Sequence, residues 1–347
     1  MKFQITDFDK IIFDMDGVIT SEFIYWDAAA LTIYELLYDY RFYGKQDIDR
    51  AWCRKNYELL FDTIFCGGRT VRAVKDLGVN TNWDLAYLVF CVSKYLEPAM
   101  TVFDSQHFES VCMFIENMTL RAPEIYAGVE GLAATVLPAE QGFFQRGGSG
   151  FWRQMEAVFQ RWFLGDAEIE SLQQMEQPLL DLVSIKRTLG RMQEQGIRLG
   201  IGTGRPRAEI MFPLRLWGLT EYFDPALIAT YDEVQRAEEA QKCGDSLAKP
   251  HPFVFQKAVF GECLNDSEIL SGAAYREDCK RVLVVGDATS DLRSAKAGGF
   301  YFAAVLSGIQ GLAARASFEE EGADFIFESI LEMGDTNADT DADTLHS

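Results

Sequence analysis

The sequence has no apolar run approaching the roughly 20 residues that a membrane-spanning helix needs. Its longest candidate, residues 86–92, is far too short. The N-terminal residues also lack the basic-then-apolar pattern of a secretory signal. We therefore expect a cytoplasmic protein that does not insert into a membrane.

Cysteine is present, but not in a pattern that binds metal or forms a disulfide framework. The seven cysteines are scattered, and no Cys-x-x-Cys pair occurs. Such spacing argues against both a zinc site and a disulfide framework. Reduced thiols are what a cytoplasmic protein would carry.

Basic residues are scarce relative to acidic ones. The chain has 32 Lys and Arg against 53 Asp and Glu, for a net charge of −21. Such a surface repels the nucleic-acid backbone and anionic membranes, so neither is an expected partner. An enzyme that acts on phosphorylated molecules would need a local cation to overcome this field.

Apolar residues, by contrast, are abundant at 48% of 347 residues. The chain can therefore bury a sizeable core, and its length fits one large or two ordinary domains. No internal repeat is visible.

The first part of the chain predicts one short strand followed by a long helical section. Residues 10–13 are apolar and read as a buried strand of a parallel sheet. Residues 20–177 are rich in aromatic residues and have charges at helical spacing, with amphipathic helices at 23–40, 51–65 and 151–163. A glycine-rich loop at 147–150 interrupts this section.

The second part alternates strands and helices. Apolar strands are predicted at 197–201, 226–229, 281–285, 301–306 and 324–327. The pattern predicts an α/β fold with a parallel sheet and an inserted helical domain. The predicted boundaries are 1–20 and 179–333 for the sheet domain and 21–178 for the helical domain, followed by a disordered acidic tail at 334–347.

Four polar segments follow predicted strands or begin predicted helices. They are Asp14-Met15-Asp16-Gly17, Thr203-Gly204, Lys249-Pro250-His251-Pro252, and the segment from Gly286 to Asp291. Loops at the carboxyl ends of parallel strands meet at one edge of a sheet. Carboxylates there suit Mg²⁺, and a hydroxyl, a glycine N–H and a lysine suit a phosphate. Each segment alone also fits a simpler role as a polar turn, a helix cap or a solvated lysine.

The order and spacing of the four segments resemble the haloacid dehalogenase superfamily, in its phosphoglycolate phosphatase and β-phosphoglucomutase-like branch. That family shows D-x-D-G, a strand ending in Thr or Ser, a Lys, and G-D-x-x-x-D. The stretches KPHPFVFQKA and GDATSDLRSAKAGG are similar to its third and fourth motifs. The resemblance covers residues 8–20 and 180–330 and implies a Rossmann-like core, while the helical insertion resembles the family's C1 cap.

The resemblance implies a phosphatase mechanism for the first and second segments. Asp14 would attack the phosphoryl group and form an aspartyl-phosphate. Asp16 would protonate the leaving oxygen and then activate water, while its backbone carbonyl binds the metal. Thr203 and the N–H of Gly204 would hold the phosphoryl oxygens.

The third and fourth segments would complete the site. Lys249 would neutralise charge around Asp14 and the phosphate. Mg²⁺ would be held by Asp14, Asp16 and Asp287, with Asp291 acting through a metal-bound water or by fixing Lys249. The implied activity is Mg²⁺-dependent hydrolysis of a small phosphorylated metabolite.

The resemblance also implies that the cap closes over Asp14 and selects the substrate. Arg69 is the first candidate for substrate binding, because it follows two glycines and begins a predicted helix. Arg146 and Arg153 come next, and a solvated surface position is the simpler interpretation of all three. Because the chain crosses between the two predicted domains twice, hinges are expected near residues 20–22 and 177–179; a rigid single domain with a fixed pocket is the alternative.

Other activities of the same family remain open at this point. A phosphomutase would use the same core residues and differ only in returning the phosphoryl group to a sugar. A non-catalytic relative would usually have lost the nucleophile or a metal ligand. A dehalogenase would not need Asp16, and no cap lysine stands out for the Schiff base of a phosphonatase. The physiological substrate and the oligomeric state are left open.

Overall fold

The computed structural model describes residues 3–79, 81–137, 142–147, 150–241, 246–273, 279 and 281–334. The chain divides into two compact units, Met1–Ser21 with Gln177–Ser347 and Glu22–Glu176. We call them the sheet unit and the helical unit. Of the predicted tail, Gly334 ends a 3-10 helix, Ile330–Gly334, and the rest lies outside the described residues, as do two residues of the predicted 147–150 loop.

The sheet unit is built on one parallel sheet. Within the described residues it has six strands in the order β3-β2-β1-β4-β5-β6, each parallel to its neighbours. The predicted parallel α/β sheet is therefore confirmed. The strands are β1 (Lys10–Phe13), β2 (Arg198–Gly202), β3 (Ile228–Ala229), β4 (Val282–Gly286), β5 (Tyr301–Val305) and β6 (Phe325–Phe327).

Both faces of this sheet are covered by apolar side chains. Successive side chains of a strand point to opposite faces. Ile11 and Phe13 of β1 accordingly belong to one hydrophobic cluster, and Ile12 belongs to the other. Burial on both faces explains why the central strands read as continuous apolar runs instead of alternating ones.

The helical unit packs around a central helix. All residues of α1 except Phe23 are buried, and α1 packs against α3, α5 and α8. The helices of this unit are α1 (Phe23–Tyr38), α2 (Arg50–Lys55), α3 (Tyr57–Ile64), α4 (Arg69–Asp76), α5 (Asn82–Leu96), α6 (Ser105–Glu116), α7 (Glu124–Val136) and α8 (Gly150–Leu164).

The helix predicted at 51–65 is two helices, broken at Asn56. The side-chain amide of Asn56 donates a hydrogen bond of 2.8 Å to the Trp52 carbonyl. Side-chain bonds of this kind compete with the backbone ladder and favour a helix boundary. Apolar periodicity alone does not reveal such a break.

A buried carboxylate lies at the centre of the helical unit. The Glu35 side chain is fully buried and accepts hydrogen bonds from Arg41 at 2.9 Å, from Arg50 at 2.7 Å, from the indole N–H of Trp162 at 2.9 Å, and from Arg161. Burial raises the pKa of Glu35, and the neighbouring arginines act in the opposite direction. The cluster ties α1 to the loop after it, to α2 and to α8.

The helices of the sheet unit cover the two faces of the sheet. Close approach is possible at Gly202 in β2, where an added Cβ would lie 2.5 Å from the Phe255 ring. In the described ranges, no helix is long and apolar enough to cross a bilayer. The helices of the sheet unit are α9 (Leu182–Glu194), α10 (Arg207–Leu216), α11 (Tyr231–Gln241), α12 (Phe253–Phe260), α13 (Asp266–Glu268), α14 (Thr289–Ala297) and α15 (Arg315–Glu320).

We predict that Glu35→Gln lowers the free energy of unfolding by about 3–5 kcal/mol, because removing one partner of a buried ion cluster leaves its cations uncompensated. Chemical denaturation followed by circular dichroism measures the change. Glu168→Gln is the control, since Glu168 is exposed. Equal denaturation midpoints for the two variants would show that the cluster does not stabilise the helical unit.

Candidate active site

The register of the central strands brings three of the four polar segments to one edge of the sheet. Phe13, the last residue of β1, lies opposite Ile201 in β2 and Val285 in β4. The residues that follow these strands therefore leave the sheet side by side. The backbone N–H of Asp14 continues the ladder by donating a hydrogen bond of 2.8 Å to the Val285 carbonyl.

Three carboxylates meet at this edge. Asp14, Asp287 and Asp291 each place a carboxylate oxygen within 4.8 Å of those of the other two. Asp291 is almost fully buried in the first turn of α14, where it accepts the N–H of Ala288 at 3.3 Å. Like charges held this close repel one another unless cations balance them. Their oxygen atoms fit a hard divalent cation.

Lys249 supplies one of the balancing charges. Its ammonium nitrogen lies 2.9 Å from Asp14 Oδ1 and 2.8 Å from Asp291 Oδ1. Burial by itself lowers the pKa of Lys249, but Asp14 and Asp291 outweigh that effect and the pKa is raised. Burial raises the pKa of Asp291 to about 6, against the opposing influence of Lys249. Lys249 is therefore a permanent cation that bridges the first and fourth polar segments.

Thr203 and Gly204 follow β2 beside this cluster. The backbone N–H of buried Thr203 donates to the Ala229 carbonyl at 3.1 Å, and its hydroxyl oxygen accepts the N–H of Arg205 at 3.2 Å. The hydroxyl can still donate its own hydrogen. A Cβ built on Gly204 would meet none of the described atoms within 4 Å. The loop thus combines a fixed hydroxyl with open space.

The Asp16 carboxylate contacts Thr20 and Arg205. Its Oδ1 accepts the hydroxyl of Thr20 at 2.8 Å, and its Oδ2 lies 3.7 Å from Arg205 Nε. The chain turns between Asp16 and Thr20 at Gly17, whose φ of 71° is readily adopted only by glycine. The two acidic residues of the first segment consequently have different environments.

Glycine backbones enclose the carboxylate of Asp287. A Cβ added to Gly17 would lie 2.2 Å from Asp287 Oδ2, and one added to Gly308 would lie 1.9 Å from the same atom. The hydroxyl of Ser307 donates to the Gly17 carbonyl at 2.7 Å, which joins the loop after β5 to the loop after β1. A side chain at either glycine would have to displace Asp287.

Sequence reasoning missed the contributions of Arg205, Ser307 and Gly308. Arg205 lies two residues beyond Thr203, and Ser307-Gly308 follows the apolar strand β5 at the same sheet edge. Their position after a parallel strand could have indicated that these residues lie at the site. Neither segment contains a carboxylate or a lysine, so neither stood out as chemistry-bearing.

The arginines proposed for substrate binding lie in the helical unit. Arg69 begins α4, with its guanidinium 2.6 Å from Glu109 and 2.9 Å from Glu116. Arg146 forms an ion pair with Asp84. Arg153 is exposed on α8. A role for Arg69 in binding substrate stays a prediction, and its guanidinium would have to be shared with two carboxylates.

Comparison with known proteins places the chain in a family. The model for haloacid dehalogenase-like hydrolases matches residues 8–299. The chain belongs to this family. The predicted identification as a haloacid dehalogenase-like hydrolase is therefore confirmed.

Two similar proteins show how far the likeness to individual proteins extends. "Pyrophosphatase PpaX" of Bacillus cereus (strain AH820) is 28% identical over 150 residues, which are 43% of this chain and 56% of the relative. The chain thus matches little more than half the length of that protein. A solved structural-genomics target is 28% identical with a TM-score of 0.73, over 94% of this chain and 97% of the other.

The enclosure of Asp287 leads to a prediction for the candidate site. We expect Gly308→Ala to weaken divalent-cation binding by at least about tenfold, because the new methyl group must displace the Asp287 carboxylate, which is one of the three that could hold the cation. Titration calorimetry with Mg²⁺ and with Mn²⁺ measures the change.

The matched control is Gly190→Ala, a helical position in the same unit whose added Cβ makes only an ordinary contact of 3.7 Å with Tyr222. Unchanged cation affinity in a folded Gly308→Ala protein would contradict a role for the loop after β5 in the shape of the site.

Proposed function

We propose that this chain is a Mg²⁺-dependent phosphatase that hydrolyses a small phosphorylated metabolite through an aspartyl-phosphate on Asp14. The observation that carries the proposal is the meeting of Asp14, Asp287 and Asp291 around the Lys249 ammonium. This arrangement pairs a potential carboxylate nucleophile with the positive charge that an anionic substrate requires.

In the first step, a carboxylate oxygen of Asp14 attacks phosphorus, and the bond from phosphorus to the leaving oxygen breaks. The carboxyl group of Asp16 donates its proton to that oxygen, so that an alcohol leaves. The hydroxyl of Thr203 and the N–H of Gly204 donate hydrogen bonds to the phosphoryl oxygens. Lys249 stays protonated and offsets the repulsion between Asp14 and the phosphate.

In the second step, the Asp16 carboxylate takes a proton from water as the water oxygen attacks phosphorus. The bond between phosphorus and Asp14 breaks, and inorganic phosphate leaves. Asp14 returns as a carboxylate and Asp16 as a carboxylic acid, so protons balance over the cycle. Separate environments for Asp14 and Asp16 support this division of labour.

The donor set fits a bound Mg²⁺, which Asp14, Asp287 and the Asp16 carbonyl would hold. When bound, the ion would supply positive charge to the phosphoryl oxygens in addition to that of Lys249. Asp291 holds Lys249 at 2.8 Å and so keeps its ammonium beside Asp14. Enclosure by Gly17 and Gly308 orients Asp287 before any ion arrives.

Charge and the relatives support a small phosphorylated substrate. A net charge of −21 disfavours long polyanions such as nucleic acids. A small phosphate ester, or an anhydride such as the pyrophosphate named for the Bacillus cereus relative, remains compatible with one local cationic site. Arg69 is the proposed cap residue for binding the remainder of the substrate.

We predict that p-nitrophenyl phosphate is hydrolysed with Mg²⁺, that a chelator abolishes the activity, and that Ca²⁺ suppresses it. Calcium takes more oxygen ligands with looser geometry and would misplace Asp14.

Asp14→Asn should lower turnover by more than about 10³-fold while the circular dichroism spectrum is unchanged, because an amide cannot form the acyl phosphate. Release of inorganic phosphate to water, without transfer to an added sugar phosphate, distinguishes hydrolysis from mutase activity.

Full activity in excess chelator would exclude the metal, and near wild-type turnover by folded Asp14→Asn would exclude the nucleophile. A panel of phosphorylated sugars, short phosphorylated acids, nucleotides and pyrophosphate then identifies the preferred substrate.

We predict that Asp16→Asn slows turnover roughly 10²–10⁴-fold, which is the usual contribution of general acid–base catalysis. Divalent-cation affinity should remain close to that of the parent protein, because the Asp16 side chain is not the proposed ligand. Steady-state kinetics and calorimetry measure the two quantities. A collapse of cation affinity with normal turnover at saturating metal would reverse the assignment.

A further inference from the structure

An arginine that belongs to none of the four polar segments lies against the proposed acid–base residue. Arg205 is only 4% exposed, and its Nε is 3.7 Å from Asp16 Oδ2. Burying a guanidinium is costly unless opposite charge or hydrogen bonds compensate it. The buried guanidinium of Arg205 therefore indicates a specific role for this residue at the edge of the sheet.

The backbone of Arg205 is fixed on both sides. Its N–H donates to the Thr203 hydroxyl oxygen at 3.2 Å, and its carbonyl accepts the N–H of Tyr231, the first residue of α11, at 3.0 Å. Pro206 follows and restricts the chain further. The Arg205 side chain therefore extends from a rigid loop. The same loop also fixes the position of the Thr203 hydroxyl.

Asp16 is fixed from the opposite side. Its Oδ1 accepts the Thr20 hydroxyl at 2.8 Å, so Oδ2 is the oxygen nearer to Arg205. Two contacts on two different oxygens set the rotation of a carboxyl group, whereas one contact leaves it free to turn. At 3.7 Å the contact between Arg205 Nε and Asp16 Oδ2 is an ion pair beyond hydrogen-bond range, and an ion pair can orient a carboxyl group.

We propose that Arg205 is the positioning residue for Asp16, holding the carboxyl group in the orientation from which it exchanges a proton with the leaving oxygen and with water. The inference rests on the proposed phosphatase function and adds a residue to it. Arg205 acts on Asp16 and does not bind the transferring phosphoryl group. Removing its charge should therefore matter most when the leaving oxygen most needs a proton.

The test compares p-nitrophenyl phosphate with phenyl phosphate. The two esters have the same shape at the reacting centre, but the nitro group stabilises the departing phenolate, which reduces its need for an acid. In Arg205→Met, kcat/KM for phenyl phosphate should fall about tenfold more than kcat/KM for p-nitrophenyl phosphate, a part of the usual general-acid contribution. Arg205→Lys keeps the charge and should recover much of this difference.

Arg207→Met is the matched control. Arg207 is the nearby arginine at the start of α10, and it bonds to the Ile228 carbonyl at 2.7 Å and pairs with Glu233 at 3.4 Å. Its loss should affect the two esters equally. A purely structural role for Arg205 would lower both rates together with the thermal midpoint, and direct phosphoryl binding by Arg205 would lower both rates at an unchanged midpoint. Either result overturns the inference.

Two further variants separate this inference from the proposed function. Asp16→Asn should show the same preference for the activated ester as Arg205→Met. If Asp16→Asn shows it and Arg205→Met does not, Asp16 is the acid and Arg205 does not position it. If Asp14→Asn retains turnover, the phosphatase mechanism itself is wrong.

Discussion

The site depends on the balance of charge between Lys249 and the carboxylates that surround it. Asp14, Asp287 and Asp291 converge within a few ångströms at the end of a buried sheet, where water screens their repulsion poorly. The Lys249 ammonium contacts Asp14 and Asp291 and offsets part of that repulsion. It also links a loop after β1 to the first turn of α14, so the same ion pairs organise the fold and set the charge of the site. The excess negative charge that remains is what a divalent cation would neutralise.

This balance requires the strands to deliver their carboxylates in register. Phe13, Ile201 and Val285 lie side by side, and each is followed within two residues by a polar group of the site. Small residues then permit the close contacts. A Cβ on Gly202 would collide with Phe255, and a Cβ on Gly17 or Gly308 would collide with Asp287. The geometry of the site is therefore a property of backbone packing as much as of its charged side chains.

Much of this arrangement could be predicted from the sequence, because short apolar strands that end in Asp or Thr mark the carboxyl edge of a parallel sheet. The strand at 226–229 was predicted too long, since Pro225–Leu227 forms a 3-10 helix before Ile228. Contacts that join distant loops had no local signal. The bond from Ser307 to the Gly17 carbonyl spans 290 residues, and no pattern in either segment indicates it. The same holds for Arg205, whose importance comes from burial beside Asp16.

The helical unit obeys a different constraint. Its central helix carries Glu35 at a fully buried position, where a carboxylate is tolerated only because Arg41, Arg50 and Arg161 converge on it from separate segments. Such a cluster specifies one packing arrangement among several that an aromatic-rich core could adopt. The three arginines around Glu35 are therefore part of the internal structure of the helical unit. Arg69 is also paired, but with Glu109 and Glu116, which are 47% and 38% exposed at their side chains. Exposed ion pairs contribute little to stability. Replacing Glu109 or Glu116 by an anionic ligand at Arg69 would therefore lower the stability of the helical unit far less than replacing Glu35 at its three arginines.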